Sequence, residues 1–302
     1  MSETHAPRDT SAAAALARRI GAFAAVPLLS LLAPFVFLPV LARLAGEDVW
    51  VAIALGQSVG GLAALLAGLG YATLGPPSVA MASDERRRRI LATSVHVRLP
   101  VWAVIGAIAV AVSIVLAPAS ARAEAGTMAA AMSLAALAPT WFWIGVGRAR
   151  PIIVLEILPR LAATLAATVL LVVGASALWY PALLVLAMSI APLVVYIHHT
   201  AGEVFRIHRA EIRGVAKSHP PGVIAESAAG LYNTLAVALV ATAAPVSEAA
   251  LYVSGDKAYR IGQYSVSALG NALQGWVVET GENRFPARFK VVAGLHGELG
   301  IT

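Results

Sequence analysis

Eight long apolar runs separated by polar links constrain what this chain can fold into more than any other feature. A helix that crosses the hydrocarbon core of a bilayer needs roughly 20 apolar residues, because no water is present there to hydrogen-bond a bare backbone. Charged residues make up 13% of the chain and the mean hydropathy is +0.78, whereas soluble proteins average about 25% charged residues. The pattern therefore predicts an all-α, polytopic membrane protein.

The apolar runs predict about eight transmembrane helices. Their predicted limits are 20–41, 49–71, 99–117, 127–146, 152–173, 179–198, 222–243 and 250–278. The eighth run is the most polar. The N-terminal run is too long for the apolar part of a signal peptide and has no convincing cleavage site, so it is interpreted as a retained first span.

The basic residues predict the orientation in the membrane. Seventeen of the 22 lysine and arginine residues fall in the N-terminal tail, in every second link and in the C-terminal tail, and only Arg43 and Arg122 fall on the other side. This count places Arg98 in a polar link. Loops rich in Lys and Arg stay in the cytoplasm, so residues 1–19 are expected to form a cytoplasmic tail. The protein itself is expected in the cell (cytoplasmic) membrane. The remaining three cations, Arg160, Lys257 and Arg260, lie inside predicted spans.

The longest link between spans, residues 201–221, predicts a boundary between two helical bundles. It is basic and ends in a helix stop, Pro220-Pro221-Gly222. The first bundle would cover residues 20–200 and a partial second bundle residues 222–278, followed by a cytoplasmic tail, 279–302. The chain has no cysteine, and its histidines have no carboxylate at useful spacing, so no metal site is predicted.

Ionisable residues within spans are costly and are therefore functional candidates. Glu156 and Arg160 lie four residues apart in the fifth span, and Pro159 is expected to bend the helix beside them. Two interpretations stay open: a cation that faces an internal aqueous cavity, or an ion pair that orders the bundle.

The eighth span carries a polar stripe at helical spacing. Its members are Asp256, Arg260, Gln263, Ser267, Asn271 and Gln274, with Lys257 beside them. Such a stripe favours a helix that lines water, and a helix lying on the membrane surface is the alternative. In the second span, Gly56 and Gly60 form a GxxxG pattern that predicts close helix packing.

Three stretches resemble bacterial polysaccharide flippases of the O-antigen (Wzx-type) branch of the multidrug/oligosaccharidyl-lipid/polysaccharide exporter superfamily. From Leu38, LPVLARLAGEDVWVAIALGQSVGGLAALLAGLGYATLGPPSVAMA resembles the first two helices of that family. From Pro139, PTWFWIGVGRARPIIVLEILPRL is similar to the link between its helices four and five. From Glu248, EAALYVSGDKAYRIGQ is similar to the start of its helix eight. The resemblance covers about 40–280.

The resemblance implies a V-shaped, MATE-like architecture of two six-helix bundles around a cationic cavity. It implies the flipping of undecaprenyl-pyrophosphate-linked oligosaccharides for cell-surface polysaccharide biosynthesis, without enzymatic chemistry or a cofactor. The expected partners are this lipid-linked substrate, membrane lipids, a polysaccharide polymerase and glycosyltransferases, and no nucleic acid. Because family members usually have about twelve helices, a chain with eight is expected to be C-terminally truncated.

The hypothesis assigns roles to residues of the fifth and eighth spans. Arg160, Lys257 and Arg260 would bind the pyrophosphate, and Gln263, Asn271 and Gln274 would contact sugar hydroxyls. Glu156 and Asp256 are the candidates for coupling to an ion gradient.

Three alternatives stay open. The first is an integral-membrane polyprenyl-phosphate-dependent glycosyltransferase that uses Glu47 and Asp48. The second is a drug/cation antiporter, which the cationic interior argues against. The third is a truncated remnant that does not transport.

Overall fold

The computed structural model of this chain describes residues 43–200 without interruption, residues 242–245 and 247–256, and isolated positions between 37 and 259. These residues are 87% helical and include no strand. Five helices among them are long and apolar enough to cross a membrane. The all-helical class is confirmed, and the five helices are compatible with a multi-pass membrane protein. The count of about eight spans stays a prediction.

Helix α1, Glu47–Gly68, corresponds to the predicted second span. It begins after Gly46, whose φ of 82° is in the left-handed region that glycine adopts readily. The negative charges of Glu47 and Asp48 in its first turn interact favourably with the positive end of the helix dipole. A short helix that was not predicted, α2, Tyr71–Ala80, follows it.

Helix α3, Asp84–Leu116, is far longer than the third span predicted at 99–117. Its 33 residues reach about 50 Å, more than the hydrocarbon thickness of about 30 Å. The Ser83 side chain accepts a hydrogen bond from the Arg86 backbone N–H, 3.5 Å away, and Asp84 and Glu85 occupy the first turn. These N-terminal signals start the helix in the polar segment, so the helix begins well before the predicted span, whose first residue is Leu99.

The fourth predicted span is interrupted. It comprises α4, Arg122–Ser133, a 3₁₀ turn, Leu134–Leu137, and α5, Thr140–Val146. Pro139 causes the interruption, because it has no N–H and its ring pushes Ala138 into an extended conformation (φ −58°, ψ 135°). The span predicted at 127–146 thus falls within a segment long and apolar enough to cross a membrane, Ala119–Val146, but its helix is interrupted at Pro139.

The fifth and sixth spans form α6, Arg150–Val172, and α7, Trp179–His198. Helix α6 contains a π-helical turn, Ile153–Ile157, which ends two residues before Pro159. A wider turn here accommodates the proline, which cannot continue the ordinary hydrogen-bond ladder. Helix α7 has the same limits as its predicted span.

Close packing of α1 on α4 confirms the interpretation of the GxxxG pattern. A Cβ atom added at Gly56 would lie 2.4 Å from the Ala125 carbonyl oxygen, and one at Gly60 would lie 2.5 Å from that of Ala129. Only glycine lets the two backbones approach this closely.

The largest hydrophobic cluster joins α1, α4, α6 and α7 and also includes Val237 and Val253. The Trp50 indole N–H donates to the Ala250 carbonyl, 3.3 Å away. Residues that follow the long basic link therefore pack on the first helices of the chain.

Several predicted segments lie wholly or mostly outside the described residues. They are the tail 1–19, the first span, the link 201–221, the seventh span, the eighth span beyond Tyr259 and the tail 279–302. The eighth span is helical over its described residues 250–256.

Candidate functional site

The break between α4 and α5 is bridged by side chains from two other helices. Arg98 Nη1, on α3, donates to the Ala136 carbonyl oxygen at 2.6 Å. The Tyr196 hydroxyl, on α7, donates to the Leu137 carbonyl oxygen at 2.6 Å and accepts a hydrogen bond from Arg98 Nη2. Carbonyls freed at an interrupted helix need such donors, because an unpaired polar group in an apolar interior is costly.

Arg98 is the most deeply buried cation of the described residues, with 1% of its surface exposed. Its Nε donates to the Ser94 carbonyl oxygen at 3.2 Å and its Nη2 to Ser94 Oγ at 3.1 Å. Its guanidinium carbon lies 5.0 Å from the ring centroid of Tyr71 and 5.5 Å from that of Trp141. The assignment of Arg98 to a polar link was therefore wrong.

No carboxylate pairs with Arg98 in the part of the chain that the structure describes. The ion pairs found there join Arg87 to Asp84 and Arg89 to Glu85, all near the start of α3. The positive charge of Arg98 is thus stabilised by hydrogen bonds to neutral acceptors and by contacts with aromatic rings.

A cavity of about 290 Å³ lies beside this arginine. Small residues of α1 and of the break form much of its wall, and Arg98, Tyr71, Thr140 and Trp141 supply the larger and polar groups. The lining includes Gly61, Ala64, Leu65, Gly68, Ala72, Met132, Ala135, Ala136 and Ala138.

Glu156 lies on the π-helical turn of α6 and contacts the first residue of α5. Thr140 Oγ1 donates to Glu156 Oε2 at 2.6 Å. Glu156 is 7% exposed, and its Oε1 is buried without a hydrogen-bond partner among the described residues. The hydrogen bond ties the π-helical turn to the second half of the broken span.

Arg160 lies one turn further along α6 and is half-buried. Its Nε is buried and has no hydrogen-bond partner in the described ranges. No ion pair joins it to Glu156 within those ranges, where Glu156 bonds to Thr140 instead. The described contacts therefore leave Arg160 without the ion pair that one sequence interpretation required.

The remaining predicted site residues are placed only in part. Asp256 is half-buried at the end of a helical segment. The other five, Lys257, Arg260, Gln263, Asn271 and Gln274, lie outside the described residues. Within the described ranges no three His, Asp or Glu side chains are grouped to hold a metal ion.

Sequence reasoning missed Arg98, Thr140, Trp141 and Tyr196. One available signal was Pro139, because a proline within a predicted span marks a break whose carbonyls need donors. The pairing of Arg98 with Tyr196 had no local signal.

Asp48, the second residue of α1, makes a contact between helix ends. It accepts a hydrogen bond from the hydroxyl of Ser120, which lies in a 3₁₀ turn just before α4. This contact ties together the ends of two neighbouring helices.

A scan against protein-family models, a search of curated proteins and a search of solved structures each return no match to this chain.

Proposed function

We propose that this chain is a membrane transport protein that flips undecaprenyl-pyrophosphate-linked oligosaccharides across the cytoplasmic membrane for cell-surface polysaccharide assembly. In this proposal the described helices belong to the first of two bundles arranged as a V, and the N-terminus is cytoplasmic. Three features of the described residues support the proposal: a mid-span cation, an interrupted helix and an unmatched positive charge in the interior.

The observation that carries the proposal is the position of Arg160 along α6 together with its lack of a hydrogen-bond partner at Nε among the described residues. Arg160 lies ten residues from Arg150, the first residue of α6, and therefore about 15 Å along the helix, near the middle of a bilayer. Its buried Nε has no partner among the described residues. A charge at this depth is expensive and marks a substrate or ion pathway by default.

The interrupted fourth span supports transport over a purely structural role. Irregular backbone at membrane depth is tolerated only where it is buried in protein or lines a cavity. Transporters use discontinuous helices near their binding sites. Here the break between α4 and α5 both contacts Arg98 and borders the cavity.

The chemistry of the substrate matches these cations. A guanidinium group binds phosphate oxygens through two parallel, charge-assisted hydrogen bonds. Arg160 would bind the pyrophosphate from the first bundle, and Lys257 and Arg260 from the second. Gln263, Asn271 and Gln274 would hydrogen-bond the sugar hydroxyls, while the polyprenyl tail stays in the bilayer. Glu156 and Asp256 remain the candidates for coupling to an ion gradient.

The glycosyltransferase alternative gains no support from the described contacts. It requires acidic residues of the first outer link to be available for a reaction, and Asp48 is hydrogen-bonded to Ser120.

The test compares Arg160→Ala with Arg160→Lys in the native host, with Arg88→Ala as control. Arg88 is exposed in the first turns of α3. We expect Arg160→Ala to reduce surface polymer and to raise the level of the lipid-linked intermediate, because the mid-span cation is lost. Arg160→Lys should retain part of the export, and Arg88→Ala should match the wild type. Normal export by Arg160→Ala, at wild-type protein levels, would refute the proposal.

A further inference from the structure

We propose that the cavity beside Arg98 is a separate binding site for an oxyanion of the phosphate type. Arg160 is not among the residues that line this cavity. The inference does not require the chain to transport a saccharide, because it concerns a partly open site formed by α1, α2, α3 and the break between α4 and α5.

The first argument is the unmatched charge. Arg98 is 1% exposed and no carboxylate pairs with it in the described part of the chain. Removing a guanidinium from water is costly, and neutral acceptors compensate for this only in part. A cavity with this cation in its wall has a positive potential and favours an anion.

The second argument is the supply of free donors. A guanidinium group has five N–H groups. The hydrogen bonds to Ser94, Ala136 and Tyr196 use four of those of Arg98, which leaves one on Nη1. Trp141 also lines the cavity, is 4% exposed, and its indole N–H has no partner among the described residues. The described contacts thus leave one N–H group of Arg98 and the buried indole N–H of Trp141 without an acceptor, and an anion at this site would supply the missing acceptor oxygens.

The third argument is the space. Gly61 and Gly68 both line the cavity. A Cβ atom added at either glycine would meet nothing within 4 Å. A volume of about 290 Å³ is near the lower end of the range for small-ligand sites. The small side chains of α1 thus leave room for a phosphate group and part of what carries it.

The fourth argument is depth. Arg98 immediately precedes the apolar run that begins at Leu99 and bonds to Tyr196 near the end of α7, so the proposal places the site towards one end of these helices, nearer the lipid head groups than their middle. The phosphate could be supplied by the head group of an anionic phospholipid or by a free phosphate ester.

The experiment has two arms and uses the full chain in phosphatidylcholine nanodiscs. In the first arm, phosphatidylglycerol is added to the bilayer and the lipid retained by the protein is counted by native mass spectrometry. In the second arm, inorganic phosphate and pyrophosphate are titrated calorimetrically into discs without phosphatidylglycerol. Retained lipid assigns the site to a head group, and calorimetric binding assigns it to a free phosphate.

Two variants test the cavity without removing Arg98, whose hydrogen bonds support the fold. Gly61→Leu fills the space, and Trp141→Phe keeps an aromatic ring but removes the N–H. We expect Gly61→Leu to abolish binding and Trp141→Phe to weaken it about tenfold, the effect of one charge-assisted hydrogen bond. Arg88→Gln, at an exposed arginine of the same helix, should bind as the wild type does.

Three results would overturn the inference. The first is a wild-type protein that binds neither phosphatidylglycerol nor phosphate. The second is a folded Gly61→Leu variant with wild-type binding. The third is loss of binding in Arg88→Gln together with full binding in Trp141→Phe, which would assign the anion to the surface arginines.

Discussion

The contact between α1 and α4 allows a sharp test, because two adjacent glycines of α1 face different surroundings. A Cβ atom at Gly60 would lie 2.5 Å from the Ala129 carbonyl oxygen and 2.9 Å from both Ala129 Cα and Met132 Cβ. At Gly61 the same atom would meet nothing within 4 Å. Gly60→Ala and Gly61→Ala are therefore matched variants that add one methyl group each to neighbouring positions of one helix.

The expected difference follows from the contact distances. Non-bonded carbon atoms prefer separations of about 3.5–4.0 Å, so α1 and α4 would have to move apart by about 1 Å to accept the methyl group at Gly60. Two of the three nearest atoms are backbone atoms and cannot rotate away. Overpacking of this kind costs about 1–3 kcal/mol. The gain in helix propensity from Gly to Ala, about 1 kcal/mol, is common to both variants and cancels in the comparison.

The assay is thermal unfolding of the purified full chain in one detergent, followed by circular dichroism. We expect Gly60→Ala to unfold about 2–6 °C below Gly61→Ala, given the scaling of melting temperature with stability for larger domains. Gly56→Ala should behave like Gly60→Ala, because its Cβ atom would lie 2.4 Å from the Ala125 carbonyl oxygen. Equal melting temperatures for Gly60→Ala and Gly61→Ala would refute the close packing of α1 on α4.

Two further predictions concern α7 and the residue that follows it. Tyr196→Phe removes the donor to the Leu137 carbonyl and should lower the free energy of unfolding by about 1–3 kcal/mol, the cost of a buried unpaired acceptor. An unchanged melting temperature would contradict this role. Burial first, and then the neighbouring positive charge of His198, lower the pKa of His199, which follows the end of α7. The imidazole of His199 therefore binds a proton more tightly in the unfolded chain than in the folded one. The stability that His199 contributes is complete above its unfolded pKa of about 6.5, and it declines as the pH falls below that value. NMR titration should show His199 with a pKa below this value, and His198→Gln should raise it; a pKa at or above the unfolded value would refute this.

The spans could be predicted from the sequence where hydrophobicity alone decides the helix. Helix α7 has the limits expected from its apolar run, and α1 begins and ends within three residues of its predicted span. The requirement that a membrane-spanning backbone satisfy its own hydrogen bonds makes such runs helical regardless of their neighbours. The close contact at Gly56 and Gly60 was predictable for a similar reason, since small residues four apart share one helix face.

The interruption at Pro139 and the length of α3 were missed because hydropathy does not register them. A proline changes the backbone without changing the apolar character of a span, and a helix can continue into polar sequence once it is capped, as α3 is by Ser83. The roles of Lys257, Arg260 and the polar stripe of the eighth span remain predictions.

The sequence by itself determined that this chain is helical and suited to a membrane, because both properties follow from local composition and from the absence of water in a bilayer. Only the tertiary structure decided which charged side chains are buried and which groups they hydrogen-bond. Arg98 reads as a loop cation in the sequence, yet it bonds to Ala136, 38 positions away, and to Tyr196, 98 positions away. These contacts depend on how α3, α7 and the interrupted span pack together, and no local pattern of residues encodes that arrangement.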